Sequence, residues 1–262
     1  MEEYKIAICT PIKNETNYLK EWLDWHLNLG ITDIYLYEDD NSDSHVTIVS
    51  HYENVHLDYI NNVLNSEYYK GFNFQKSGSW KQGYLYEWFF HTFKDKYDWI
   101  LMIDVDEFLV MKQPLQTLLQ TYKNELGIMF KWRIMTACRN INKPAGNVMD
   151  NYTEVYKKGF DSNFDTKSMI NCRLNKKLEW DKHNHRVKGA IYPHKNGTHL
   201  AYINHYFTKS WEEWKSKLLV RGDLMEGHRK IWQFFTINED MLNVKDVLLS
   251  ELKSNNKTIE GS

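Results

Sequence analysis

Cysteine is scarce: Cys9, Cys138 and Cys172 are the only three in 262 residues. They stand far apart with no C-x-x-C pair, so neither a disulfide framework nor a thiolate zinc site organises the chain, and a reducing compartment is the default expectation. Proline (4) and glycine (12) are sparse too, which excludes collagen-like and low-complexity architectures. No run approaches the roughly 20 apolar residues needed to span a bilayer. The N-terminal MEEYKIAICTP carries acids where an export signal needs bases. These absences give the expectation of a soluble cytoplasmic protein, with peripheral association at the inner face of the membrane, through the aromatic and basic C-terminal third, as a further option. Neither sign of charge is in excess, since 33 Lys+Arg face 35 Asp+Glu. No basic field therefore exists to hold nucleic acid by counterion release.

Aromatic residues are abundant: ten Trp, 17 Tyr and 12 Phe make up 15% of the chain. Such rings serve either as core filling or as platforms for flat-faced ligands. With 42% hydrophobic and 26% charged residues, the length suits one large globular domain, or one with a terminal appendage.

Residues 4–10 form a short apolar run ended by Pro11. Residues 16–29 then place Leu19, Trp22, Leu23 and Leu27 at helical spacing before Gly30. A second strand over 34–37 runs into Glu38-Asp39-Asp40-Asn41-Ser42-Asp43, read as the loop at its C-terminal end, with a helix over 44–52. This βαβ pattern predicts a parallel sheet whose ligands bind at that edge. Residues 61–78 read as a long loop and 79–94 as a helix carrying Trp80, Leu85, Trp88 and Phe89. The continuous apolar run 99–103 has the character of a strand buried on both faces. It ends abruptly in Asp104-Val105-Asp106-Glu107-Phe108. A helix over 113–123 and a strand over 127–135 follow. Residues 138–165 are polar and loop-like, and 168–207 read as short strands with turns at Lys188-Gly189 and Asn196-Gly197. Ser210 and Glu213 form a capping box opening a helix over 210–228. One more amphipathic segment carries Val244, Val247, Leu248 and Leu252 before a polar tail over 254–262.

Alternation along an extended strand end would send Asp104 and Asp106 to the same side. Carboxylates that close repel unless a cation or proton intervenes, and a hard ion such as Mn²⁺ or Mg²⁺ suits an all-oxygen pair. The competing reading is that the acids cap the next helix or are simply solvated. Their place after a buried strand, with a second acidic strand end at Asp39-Asp40, favours the cation. A glycoside hydrolase fits less well, because its carboxylates sit about 5–9.5 Å apart across a sugar.

Three segments in order, Ile8-Cys9-Thr10-Pro11-Ile12-Lys13-Asn14-Glu15, YLYEDDNS (35–42) and IDVDEF (103–108), resemble the successive signatures of GT-A glycosyltransferases of the family 2-like group. The resemblance is closer to the branch related to family 92, which shares the DVDEF form and a later N-H-Y-x-x-K-S pattern, present as Asn204-His205-Tyr206 and Lys209-Ser210. It covers roughly residues 4–222 of the chain. The implied fold is α/β, a GT-A (Rossmann-like), mostly parallel sheet flanked by helices with a C-terminal helical segment. Residues 1–222 would form the catalytic domain, with 1–110 the nucleotide-sugar half and 111–222 the acceptor half. Residues 223–262 would be a helical extension and polar tail.

The resemblance also implies roles. Thr10 and Asp40 would contact the nucleobase, with Pro11 and Asn14 in the same nucleotide pocket and Glu15 near the nucleoside. Asp104 would lie near ribose and metal, Asp106 would ligate the metal directly, His205 would supply a further ligand, and Lys209 would reach a phosphate. The implied activity is metal-dependent transfer of a sugar from a nucleotide sugar, a UDP-sugar, to a hydroxyl of a glycan or glycolipid acceptor. It would proceed with inversion, using Mn²⁺ or Mg²⁺, in surface polysaccharide or glycoconjugate synthesis.

An inverting reaction needs a general base on the acceptor side. Candidates are Asp150, Glu154, Asp161 and Asp165, and Asp150, in Val148-Met149-Asp150-Asn151-Tyr152, is preferred. Glu212 and Glu213 fit the capping box instead. Lys81-Gln82 either touches the diphosphate or acceptor or belongs to a solvated helix face. Lys167-Ser168 is similar to a short element in related sequences. His183, His185, His194 and His199 read as structural or surface residues, His185 being the one to test for substrate contact. Trp22, Trp25, Trp88 and Trp99 read as core, whereas Trp132, Trp180, Trp211 and Trp214 are candidates for stacking on a sugar. Two other readings remain. A sugar nucleotidyltransferase would need a Gly-rich basic phosphate loop, which CTPIKNE lacks. A non-catalytic glycan-binding protein would use the aromatics without a metal pair.

Overall fold

The structure is a computed structural model that describes residues 3–39, 43–74, 80–156, 166–181, 186–219, 231–245 and 248. In chain order the elements are β1 (Ile6–Ile12), α1 (Thr16–Asn28), β2 (Asp33–Glu38), α2 (Asp43–Val49), β3 (Val55–Tyr59), α3 (Ile60–Leu64), α4 (Trp80–Phe93), β4 (Trp99–Met102), β5 (Glu107–Met111), α5 (Leu115–Thr121), β6 (Gly127–Ile134), α6 (Val148–Asn151), β7 (Thr166–Asn171), β8 (Trp180–Asp181), β9 (Arg186–Val187), β10 (His194–Lys195), β11 (Thr198–His199), β12 (Ala201–His205), α7 (Trp211–Leu219) and α8 (Ile231–Ile237). Eight strands form one sheet in the order β3-β2-β1-β4-β7-β6-β12-β5. The βαβ half, β3-β2-β1-β4, is parallel throughout. From β4 onward the pairs β4–β7, β7–β6 and β12–β5 are antiparallel.

The parallel half is covered on both faces, which explains its unbroken apolar runs. Ala7 and Cys9 of β1, Tyr35 and Tyr37 of β2, and Ile100 and Met102 of β4 share one core with Ile60, Val63 and Leu64 of α3 and Leu85, Tyr86, Phe89 and Phe90 of α4. The intervening Ile6, Ile8, Ile34, Leu36 and Leu101 face the other way and are equally buried. Two expectations need correction here. Residues 61–78 are not simply a loop: α3 and a 3₁₀ turn at Glu67–Tyr69 lie there, because Ile60, Val63 and Leu64 keep helical spacing inside an Asn-rich stretch. Glu38 does not leave the sheet with the acids after it; it is buried as the last residue of β2.

The edge strand β5 is managed by α1. The indole Nε1 of Trp22 donates to the Glu107 carbonyl at 2.7 Å and that of Trp25 to the Leu109 carbonyl at 2.8 Å. The Leu109 N–H donates to His26 Nε2 at 3.3 Å, and His26 Nδ1 donates to the Trp22 carbonyl at 2.8 Å. Side chains of one helix thus take the backbone groups that an edge strand would otherwise expose. They also fix His26 as a neutral imidazole, since a proton on Nε2 would face an N–H donor. Burial, opposed only in part by the bond to Trp22, pushes the His26 pKa down to about 3. An unfolded His26 takes up a proton below about pH 6.5 and the folded ring does not. Its contribution to stability is therefore whole above that pH and falls by about 1.4 kcal/mol per pH unit on acidification toward 3. Urea unfolding from neutral to mildly acid pH checks this. The wild type should lose stability more steeply than His26→Gln, and equal slopes would refute it.

By compactness the chain divides into a first unit, Met1–Arg133 with Ser162–His205, and a second, Ile134–Asp161 with Tyr206–Ser262. This division does not follow the sequence-based boundary at 222. The second unit has its own core, in which Trp211 and Trp214 of α7 pack with Ala137, Leu218, Phe234, Phe235, Met241 and Leu248. Both indoles are fully buried, so neither is a sugar platform. The capping box forms as the sequence indicates: Ser210 Oγ donates to Glu213 Oε2 at 2.7 Å, and the Glu213 N–H donates to Ser210 Oγ at 3.3 Å. Val247, Leu252 and the tail 254–262 lie outside the described residues.

Candidate active site

Because β2, β1 and β4 are parallel neighbours, the segments after Ile12, Glu38 and Met102 leave the sheet at one edge. Asp104 and Asp106 do not alternate along a strand end but lie in a turn: β4 ends at Met102 and β5 begins at Glu107. The Asp104 N–H donates to Glu107 Oε2 at 3.0 Å, and the Glu107 N–H donates to the Asp104 carbonyl at 3.1 Å. This reciprocal pair turns the two aspartates toward different partners. Asp104 Oδ1 accepts from Gln82 Nε2 at 2.5 Å and Oδ2 from Lys167 Nζ at 2.8 Å. Asp106 Oδ1 lies 3.5 Å from His205 Nε2.

Two ladders supply the partners. β12 pairs with β5 so that His205 stands opposite Glu107, and its Nδ1 lies 3.9 Å from Glu107 Oε1. β7 pairs with β4 so that Ser168 stands opposite Met102, which puts Lys167 just past the end of β4. Trp132 of β6 closes this side, with its ring 4.3 Å from that of His205, edge to face. The Lys167 ammonium lies 5.6 Å from the same indole.

Lys167 is fully buried. Burial works against its charge, but Asp104 at 2.8 Å and Glu107 at 3.5 Å outweigh that and hold its pKa above the ordinary lysine value. Glu107 is fully buried as well. Its pKa is driven well above the usual carboxylate range by desolvation, with Lys167 opposing and Asp104 and Asp106 adding to the rise. Its Oε1 has no hydrogen-bond partner. The corner is therefore one ammonium among three acids, with an imidazole beside Asp106.

The first turn of α4 ties the two acidic strand ends together: Lys81 pairs with Asp39, and Gln82 bonds Asp104. These contacts show that the face is not merely solvated. Thr10 is fully buried in β1, with its hydroxyl donated to the Pro11 carbonyl at 3.2 Å. Asn14 adopts a left-handed φ of 54°, a conformation asparagine tolerates. The Glu15 N–H donates to His45 Nε2 at 3.3 Å, and His45 Nδ1 donates to Glu38 Oε1 at 2.5 Å. A neutral imidazole in one tautomer therefore couples the start of α1 to the end of β2. Asp40 lies outside the described residues, as do Asp161, Asp165, His183, His185 and the Trp180 side chain.

Asp150 and Lys209 belong to the second unit. Asp150 is exposed in α6 and accepts from Asn147 Nδ2 at 3.2 Å. Lys209 is buried with a left-handed φ of 53°. Glu154 is exposed, and Glu212 accepts from the Lys143 N–H at 2.7 Å. His194 and His199 lie on the β10–β11 hairpin, which turns at Asn196 and Gly197 with φ of 51° and 75°.

Gln82, Lys167, Glu107 and His45 carry the site's wiring; the sequence offered Gln82 as a ligand contact and Lys167 as part of a family-like element, and gave no role to Glu107 or His45. The one available signal was a lysine in an apolar strand, Lys167 ahead of Met169-Ile170. Among the described residues no set of three or more His, Cys, Asp or Glu stands at metal-ligand spacing. The Asp106–His205 pair nonetheless fits a hard divalent cation. Such ions accept one carboxylate and an imidazole and complete their shell with phosphate oxygens and water.

An acid-rich edge at the C-terminal ends of parallel strands defines an α/β protein with the ligand edge of nucleotide-binding sheets. Residues 4–244 match glycosyltransferase family 92, and the chain belongs to that family. A glycosyltransferase family 92 protein of rice, Oryza sativa subsp. japonica, is 27% identical over 241 residues, covering 83% of this chain and 36% of its own length. The chain thus spans about a third of that curated relative. Solved structures with a similar trace include a mycobacterial protein at 10% identity and TM-score 0.44, covering 81% of this chain and 70% of that one. HddC from Yersinia pseudotuberculosis is similar at 9% and 0.39, covering 77% and 93%. Glucosyl-3-phosphoglycerate synthase from Mycobacterium tuberculosis, crystallised with Mn²⁺, uridine diphosphate and phosphoglyceric acid, is similar at 11% and 0.37, covering 65% and 57%. Among the described residues no helix is long and apolar enough to cross a membrane.

Proposed function

We propose that the protein transfers a sugar from a nucleoside diphosphate sugar, a UDP-sugar, to a hydroxyl of a glycan or glycolipid acceptor, with inversion and with Mn²⁺ or Mg²⁺ bound. The observation that carries this is His205 Nε2 brought to 3.5 Å from Asp106 Oδ1 by strands that also gather Asp104, Glu107 and Lys167. Asp106 and His205 would hold the metal, with Asp104 beside it toward the ribose. The bound cation would offset the charge that develops on the departing diphosphate.

The remaining assignments follow the edge of the sheet. Thr10, Pro11, Asn14, Glu15 and Asp40 would form the wall against which the base lies. Lys209 would pair with a phosphate oxygen, and Asp150 would take the proton from the attacking hydroxyl. Gln82 and Lys167 hold both oxygens of Asp104, so that carboxylate is oriented before any ligand arrives, which lowers the reorganisation needed on binding. A UDP-release assay over a panel of UDP-sugars, with and without Mn²⁺, tests the proposal. Release from one donor, abolished by chelation, is the expected result. Full release in EDTA would remove the metal's role, and no release or UDP binding with any donor would remove the transferase reading.

A further inference from the structure

Trp132 turns one side of β6 toward Lys167 and His205, so its neighbours Lys131 and Arg133 project from the opposite side. There both meet rings, and Arg133 Nε also donates to Asn204 Oδ1 at 2.8 Å. The Lys131 ammonium lies 5.5 Å from the centre of the Tyr192 ring, and the Arg133 guanidinium 4.7 Å from that of Tyr202. The Lys112 ammonium lies 5.3 Å from the same Tyr202 ring. His199 bridges the two tyrosines, with ring centres 6.1 Å from Tyr192 and 5.6 Å from Tyr202. Among the described residues, no carboxylate lies within ion-pair distance of Lys112 or Lys131. The field is positive enough to be felt locally. Burial, then Lys131, His194 and Lys112, lower the His199 pKa.

We propose that this cluster is a binding surface for an acidic glycan, a sugar chain bearing carboxylate or phosphate groups, separate from the transfer corner. Cations held over aromatic faces keep their full charge and a restricted position, whereas a carboxylate partner would cancel the charge. They can therefore pair with an incoming anion at a reduced ordering cost. The ligand is soluble rather than a bilayer surface, because the tyrosines sit half-buried beneath the cations. The strongly exposed apolar side chains that could insert into lipid, such as Tyr68, Phe72 and Trp232, are not in this cluster. That the anion is carried on a glycan rests on the transferase reading; the anion site itself does not.

The test is calorimetric binding of an oligogalacturonate and of a neutral maltooligosaccharide of equal length, at low and high salt, to the wild type and to Lys112→Gln/Lys131→Gln. Lys112 is exposed and Lys131 half-buried, and a melting curve verifies folding. The acidic oligosaccharide should bind, weaken with salt, and bind the double variant about tenfold less tightly. UDP affinity should be unchanged in that variant. Equal binding of the neutral oligosaccharide, unchanged affinity in the double variant, or variant-sensitive binding to phosphatidylglycerol vesicles in place of the oligosaccharide would overturn the proposal. Acidic-sugar binding as described, with no UDP binding or release, would leave the surface standing and the transferase reading fallen.

Discussion

Asp106→Asn is expected to lower donor turnover by about a thousandfold, the scale of losing a principal stabiliser of transition-state charge. The amide keeps the size of the side chain but not the anionic oxygen that faces His205. UDP binding in the variant should no longer respond to Mn²⁺, and thermal stability should change little, because asparagine keeps the shape of the buried side chain. Titration of UDP against both proteins, with and without Mn²⁺, reads this directly. If the metal response of Asp106→Asn equals that of the wild type, Asp106 is not a ligand.

The second large effect concerns folding. Lys167→Met removes the ammonium that lies between Asp104 and Glu107 and leaves Glu107, with no exposed surface, as a buried acid without its cation. Breaking a buried pair from one side costs about 3–5 kcal/mol, whereas replacing both partners with apolar groups of similar size is often close to neutral. Urea unfolding of Lys167→Met should therefore show a drop of that size. The pair Lys167→Met/Glu107→Leu should recover part of it, since Asp104 still lacks the ammonium that lies 2.8 Å from its Oδ2. If the double variant is as unstable as the sum of the single ones, the two residues do not act as a unit.

The parallel half was legible because buried strands and the amphipathic α1 write themselves in period and in abrupt endings. Residues 99–103 followed by acids is such a case, and the structure puts β4 there with one residue fewer. The antiparallel half was less legible for a physical reason. β7 carries Lys167, which faces the acid corner, and Ser168, whose hydroxyl accepts from the Val187 N–H, so its polarity reads as a loop or short strand until its partners are known. β12 ends in Asn204 and His205, which the resemblance marked but periodicity did not. Trp211 and Trp214 misled in the opposite sense. Their helical spacing fits a core as well as a binding face, and only the packing of Phe234 and Phe235 against them decides for the core. Asp104 and Asp106 were found for a reason that failed, strand alternation, and their separate partners come from a turn that spacing alone does not encode.

The order in which the corner is assembled during synthesis follows from its ladders. Asp104, Asp106 and Glu107 leave the ribosome well ahead of their partners: Lys167 reaches Asp104 across a sequence separation of 63, and β12 returns to β5 only when residues 201–205 have been made. Strands β1 to β4 can pair from nearby chain, but the acids at their ends stay mutually repelling until β7 and β12 dock. Such non-local pairings are the slow steps of folding. A chain truncated before residue 166 would lack both β7 and β12, and the acids after β4 would be left without the Lys167 and His205 partners that those strands bring.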